Sequence, residues 1–466
     1  MKRALLTTAA LALVLPPAAA AHGIGAGVKD LPVPLWLFYY GAAIVLVVSF
    51  VALGALWSRP VLDRAALGRA LPAPAQRVLL ADAVVIASRA LSVFLFVVVW
   101  ASAAFGTRHA FQNLAPTFVY VVFWLGMPLL SVLLGDVWRV LNPWRAIAEL
   151  ASWARGSRGA ARPYPHWLGY YPAAALLFAF TALELAFYDP SRPRALAAAI
   201  AVYSAVTWAG AARWGNEEWF RYGDGFSVYF GFLARLAPLA VRAGRVIRRP
   251  PLSGLTTIEP RPGLLAFVAV MLGSVAFDGF SRTSWWQKWL FEVQSPFLPN
   301  SIGIADLLTL LLNLSGLIGM ITIVAVIFAA AISSARRLGR ADRPFDDAII
   351  PSLVPIAFAY VVAHYFSLFV YQVQFAVPLL SDPLGRGWDV IGTADFRPNL
   401  TLLRPSTIWY VQAAALLVGH VCGLAVAHDR AIALLRSPRA ALRSQYAILV
   451  LMVFYTVGGL WILSRP

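Results

Sequence analysis

The sequence predicts an all-α polytopic membrane protein of about ten transmembrane helices, and three observations carry that prediction. Sixty per cent of the 466 residues are apolar and only 13% are charged, against roughly 25% charged in a soluble domain. The apolar residues gather into runs near 33–56, 80–105, 115–135, 167–187, 195–212, 263–280, 303–333, 349–376, 406–428 and 445–463. Most of these reach the ~20 residues that cross a ~30 Å hydrocarbon core. Between them lie five arginine-rich stretches, at 57–77, 139–162, 213–262, 336–343 and 430–443, which hold 25 of the 38 Lys and Arg. Such charge is retained in cytoplasmic loops.

In chain order, residues 1–21 come first as a separate unit. Lys2 and Arg3 precede an apolar stretch from Ala4 to Leu15, then two prolines and an alanine run ending at Ala21, the pattern of a cleaved secretory signal peptide. Residues 22–466 then form a single transmembrane helical domain. With ten spans and the arginine count, both mature ends are predicted outside the cytoplasm, which places the protein as multi-pass in a bacterial cytoplasmic (inner) membrane. The segment 225–240 is apolar but interrupted by Arg235 and Pro238. Treating it as a span would export the arginines at 242–249, so it is predicted to lie at the interface within the basic cytoplasmic loop 213–262. The ten spans divide into five plus five, the arrangement of an inverted repeat, but the long run at 303–333 has no counterpart in the first half.

Fifteen of the 17 tryptophans fall at or near predicted span ends, as in an aromatic belt; Trp100 and Trp124 lie deeper. The net charge of +17 sits in short loops beside spans, so its partner is anionic lipid rather than nucleic acid. One cysteine, Cys422, excludes an intramolecular disulfide. No stretch is long enough to build a separate soluble catalytic domain, so any chemistry comes from the helices and short loops.

Ionisable groups inside a membrane are costly and mark function. Here they gather toward the predicted outer side: Glu184, Asp278 and Asp306, with Gln372, Gln374 and Gln412 nearby. His22 and His109 belong to predicted external segments. His364 and His420, counted from the outer ends of their spans, stand at matching depth ~18–21 Å in. Two readings of this pair stand: ligands of a shared transition metal ion or haem, or separate packing residues each bonded to a neighbour. Cys422 lies ~200° around the helix from His420 and does not join it on one ion. His428 stands at a cytoplasmic end beside Asp429 and Arg430. Asp82 and Arg89 lie seven apart, on one helix face, and are predicted to pair there or with a neighbour.

The strings HGIGAGVKDLPVPLW (22–36), GDVWRVLNPW (135–144), GNEEWFRYGDGF (215–226), FDGFSRT (277–283), HYFSLFVYQVQ (364–374) and GHVCGLAVAHDRA (419–431) resemble a bacterial polytopic membrane family labelled fenitrothion hydrolase, over essentially the whole mature chain. The resemblance implies hydrolysis of an organophosphorus triester at an extracytoplasmic or membrane site, and carries over no catalytic residues. Soluble organophosphate hydrolases place a His-x-His pair at two metals; this sequence has no His-x-His and six histidines in all. A metal-dependent mechanism drawn from the residues places a divalent transition metal on His22 and His109 with Glu184 and Asp278, and Gln372 or Gln412 orienting an apolar substrate that arrives from the bilayer. The competing class is a transporter or metal-handling permease. It rests on Gly126 with Pro128, Asn313 with Gly316, and Pro351 with Pro355, where a helix breaks and offers carbonyls to a solute.

Overall fold

The computed structural model describes residues 35–156, 162–297, 301–342, 344–435 and 437–463. The signal-peptide segment 1–21 and His22 lie outside them. Among the described residues, ten helices are long and apolar enough to cross a membrane, and they coincide with the ten apolar runs of the sequence. Strand among the described residues is confined to one small three-stranded sheet.

The helices that organise the molecule are α1 (Leu35–Leu56), α2 (Ala73–Leu79), α3 (Asp82–Phe105), α4 (Leu114–Leu134), α5 (Pro143–Ala154), α6 (Tyr171–Leu185), α7 (Pro193–Trp214) and α8 (Gly225–Leu233). They continue with α9 (Leu264–Ser281), α10 (Ser284–Gln294), α11 (Ile302–Gly339), α12 (Val354–Gln372), α13 (Pro405–Leu434) and α14 (Pro438–Leu463). Inside α4 the chain widens into a π-helical turn over Phe118–Phe123, a feature that recurs at functional sites.

Two bundles form. In one, α3 packs on α5 and α7, and α8 packs on α4 and α6; in the other, α1, α11, α12, α13 and α14 pack together. Between them runs α9, against α6 on one side and α11, α12 and α14 on the other. Its enclosure follows: 83% of the α9 window is buried, against 6% for the span that contains α3. An apolar helix exposed to lipid loses nothing by its exposure, so the polar groups belong on the enclosed one. With 38 residues, α11 is ~57 Å long, well beyond the hydrocarbon thickness.

Small residues set the α12–α13 pair. A Cβ on Gly419 would overlap Ala359 Cβ, and one on Gly423 would stand 2.8 Å from the Ser352 carbonyl, so α12 and α13 approach backbone to backbone. The pair runs antiparallel in that register, and it brings His420 beside Tyr360, ring centroids 6.0 Å apart. His364 is four residues further along α12, about one turn or ~6 Å. The matching depth expected for His364 and His420 is therefore corrected. The apolar run 349–376 begins and ends in 3-10 turns, Ile350–Leu353 and Val373–Phe375, whose rise and direction differ from those of an α-helix.

The segment predicted to lie at the interface does something else. After Trp214 the chain turns back through a π-helical stretch, Trp219–Gly223, with Trp219 packed over Gly210 and stacked on Trp214 at 5.3 Å. It reaches Asp224, whose Oδ1 accepts from Tyr203 Oη at 2.6 Å and Thr207 Oγ1 at 3.2 Å on α7. Those residues lie 11 and seven positions before Trp214, or ~16 and ~10 Å inward. From Asp224 the chain descends again as α8, capped by Asp224 Oδ2 on the Ser227 N–H at 2.9 Å. Residues 215–233 thus form a re-entrant hairpin, its Phe226, Phe230 and Leu233 buried in protein. Irregular backbone at membrane depth is tolerated in such enclosure.

Charged pairs tie down the arginine-rich end. Arg89 bonds Glu149 at 2.9 Å rather than Asp82, and Glu149, Arg145, Glu217 and Arg139 continue the chain of alternating charge. His428, Asp429 and Arg430 are buried, not exposed to headgroups. Asp429 Oδ1 accepts from Trp57 Nε1 and the Val61 N–H, and His428 bridges Gln445 and the Trp57 carbonyl. They fasten the end of α1 to α13 and α14.

Candidate functional site

Asp278 is a fully buried carboxylate near the end of α9, the helix between the two bundles. Its position there follows from the sequence of α9, in which nearly every residue from Phe267 to Gly279 is buried, so a carboxylate anywhere in that stretch must find partners inside the protein. Three donors serve it. His364 Nε2 is 2.8 Å from Oδ2, and Tyr365 Oη donates to the same oxygen at 2.7 Å, both from α12. Arg282 Nε, four residues on at the C-cap of α9, stands 3.4 Å from Oδ1.

Glu184 on α6 faces this group from the other bundle. It lies within electrostatic reach of Asp278 and Arg282, beside the Trp124 side chain of α4. Trp124 stacks on Tyr229 of the re-entrant helix at 4.9 Å. Glu184, Asp278, Arg282, His364 and Tyr365 together make an acid–base centre in which one added proton changes the charge balance of a desolvated site. A small apolar cavity bordered by Val275, Gly279, Tyr360, His364, Leu416 and Gly459 adjoins it. His364 therefore touches both the carboxylate and the cavity.

The expected site residues do not all converge. Glu184, Asp278 and His364 come together. His420 is fully buried as a bundle-facing residue, but its Nδ1 is bonded to the Leu416 carbonyl at 2.7 Å. Gln372 lies two turns beyond His364 along α12 and Gln412 one turn before Leu416 along α13, both half-buried. His109 is exposed in the loop ahead of α4, its backbone N–H on Thr107 Oγ1 at 3.3 Å.

The donor set at Asp278 does not fit a metal ion. Its Oδ2 already serves His364 and Tyr365, and the Arg282 cation beside Oδ1 opposes a second positive charge. Among the described residues, no three His, Cys, Asp or Glu side chains converge to hold a metal. Haem between His364 and His420 is equally ill-fitted, because the contact of Gly419 with Ala359 closes the space a macrocycle needs.

Sequence reasoning missed Tyr365, Arg282, Trp124 and the re-entrant Asp224. The Asp278–Arg282 pair was visible as an i,i+4 spacing in FDGFSR, and Tyr365 as the neighbour of a buried histidine. Nothing in the sequence joined α9 to α12.

The fold and the centre define a multi-pass membrane protein with a buried acid–base site where two helix bundles meet. No protein-family profile matches the chain, and no curated protein or solved structure is found similar to it.

Proposed function

We propose that the chain is a proton-coupled permease of a bacterial cytoplasmic (inner) membrane, moving a small solute by displacement of one bundle against the other. The observation that carries this reading is the bonding of Asp278. It stands on the helix between the bundles, holds His364 of one bundle, and faces Glu184 associated with the other. A proton arriving at this centre alters contacts to both bundles at once, which is what coupling requires. The re-entrant hairpin behind Trp124 and the π-turn of α4 supply the non-helical backbone that solute pathways use.

A second reading, hydrolysis of an organophosphorus triester, is favoured by the family resemblance and by one geometric fact. Asp278 fixes one ring nitrogen of His364 while the ring borders a cavity, the form of an oriented general base. In that reaction His364 takes a proton from water, the water oxygen bonds phosphorus, and the aryl oxide leaves.

One experiment separates the two. Proteoliposomes containing the full chain and a luminal pH dye are given a panel of small organic solutes and, separately, a chromogenic aryl phosphotriester. Solute-dependent proton movement, lost in Asp278→Asn, is the expected result. Release of the aryl oxide with no solute-dependent proton movement would transfer the conclusion to hydrolysis.

A further inference from the structure

The small sheet at the arginine-rich end carries like charges where sheets normally avoid them. Strands β1 (Arg69–Ala70), β2 (Leu239–Arg242) and β3 (Arg245–Arg248) are ordered β1-β3-β2, all antiparallel. The register sets Arg69 directly opposite Arg248, and Arg242 directly opposite Arg245. Like charges in directly opposed positions destabilise a sheet. All four are exposed, and the salt bridges among the described residues give none of them a carboxylate partner; Glu217, Glu259, Asp346 and Asp63 at this end are engaged by Arg139, Arg145, Arg221, Arg336 and Arg430.

The repulsion is held in place by a rigid frame. Gln76 of α2 pairs with Val246 as a strand would, its Oε1 accepting from the Val246 N–H at 2.8 Å and its Nε2 donating to the Val246 carbonyl at 2.8 Å. The β2–β3 turn is a two-residue one with positive φ at Ala243 (47°) and Gly244 (72°), the geometry that suits a tight hairpin. Behind the sheet, buried Arg249 donates to the Ala237 and Ala234 carbonyls, fixing β3 to the end of α8. Opposed arginines on a frame that cannot relax form a preorganised site for an anion.

Its surroundings say which anion. Leu67, Val78, Leu79 and Val241 beside these arginines are exposed apolar side chains, and α2 leads within a few residues into α3, the span with the least protein cover. Apolar side chains flanking arginines at the mouth of a lipid-facing span are suited to the boundary between acyl chains and headgroups.

We propose that the Arg69–Arg248 pair is a binding site for the phosphate of an acidic phospholipid, with Arg242 and Arg245 at the hairpin tip attracting the same leaflet. The guanidinium groups grip the phosphate through forked hydrogen bonds, and the flanking apolar residues receive the acyl chains.

The test is titration of the full-length purified protein with short-chain phosphatidylglycerol, phosphatidylcholine and inorganic phosphate, bound ligand being counted by native mass spectrometry. The expected result is saturable phosphatidylglycerol binding that weakens on the order of tenfold in R69Q/R248Q. It should be unchanged in R108Q/R397Q, which removes equal charge at the opposite end. Arg248→Gln alone, with a smaller loss, serves if the double variant does not fold. Equal binding by wild type and R69Q/R248Q, or equal affinity for phosphatidylcholine, would overturn the site; displacement by an equal concentration of inorganic phosphate would overturn the lipid as its ligand.

Discussion

His364 Nε2 lies 2.8 Å from Asp278 Oδ2, a contact between residues 86 positions apart that links α12 to the central α9. Because Asp278 is fully enclosed, its carboxylate has no solvent to fall back on, and a change in the proton count of either side chain is a change in the bonding of the other.

Asp278→Asn keeps an acceptor for Tyr365 while removing the charge. It should leave the protein folded but reduce solute-coupled proton movement at least tenfold, as should His364→Gln. The check is the proteoliposome assay beside a thermal melt; unchanged coupling in both variants would remove this centre from the function.

Asp224→Ala deprives the re-entrant helix of its cap and leaves Tyr203 and Thr207 hydroxyls without their acceptor. A loss of about 2 kcal/mol or more is expected, read as a lowered melting temperature and a change in Trp219 fluorescence. Asp224→Asn, which retains an acceptor, should lose less.

Gly419→Leu forces a side chain into the α12–α13 contact, where even a Cβ overlaps Ala359. Destabilisation of about 3 kcal/mol is expected, at the upper end of overpacking costs. Gly458→Leu, whose Cβ position meets nothing within 4 Å, should melt close to wild type.

Glu259 gives a dependence on pH. Partial burial pushes its carboxyl up, but the Tyr222 hydroxyl and the Arg221 and Arg261 guanidinium groups outweigh that and hold it below the usual carboxylate range. A depressed folded-state pKa stabilises above the unfolded value of ~4.3 and is lost as pH falls through the folded one. Wild type should therefore melt above Glu259→Gln at pH 7 by a small margin, since the group is partly exposed. The margin should close below about pH 4; a constant difference across that range would rule out the linkage.

The ten spans were legible because length and apolarity are properties of a segment by itself, and Glu184 and Asp278 could be singled out from the cost of placing a charge in a membrane. What was not legible depends on how segments meet. Asp82 and Arg89 share a face, yet Arg89 reaches Glu149 because α5 packs across α3. The depth of His364 was counted along an apolar run that is not one helix. The stretch 225–240 reads as interfacial because Arg235 and Pro238 interrupt it, whereas what folds residues 215–233 inward is the bonding of Asp224 to Tyr203 and Thr207 of α7, a partner that composition does not reveal.

The length of α11 has a mechanical side. A rod of ~57 Å packed on α9 near one face and α14 on another acts as a lever: turning it by about 10° around its midpoint sweeps each tip by about 5 Å. One tip is clamped by Arg336 to Asp346 at 2.8 Å, so motion of the rod there would be transmitted directly to the segment that leads into α12, and with it to His364.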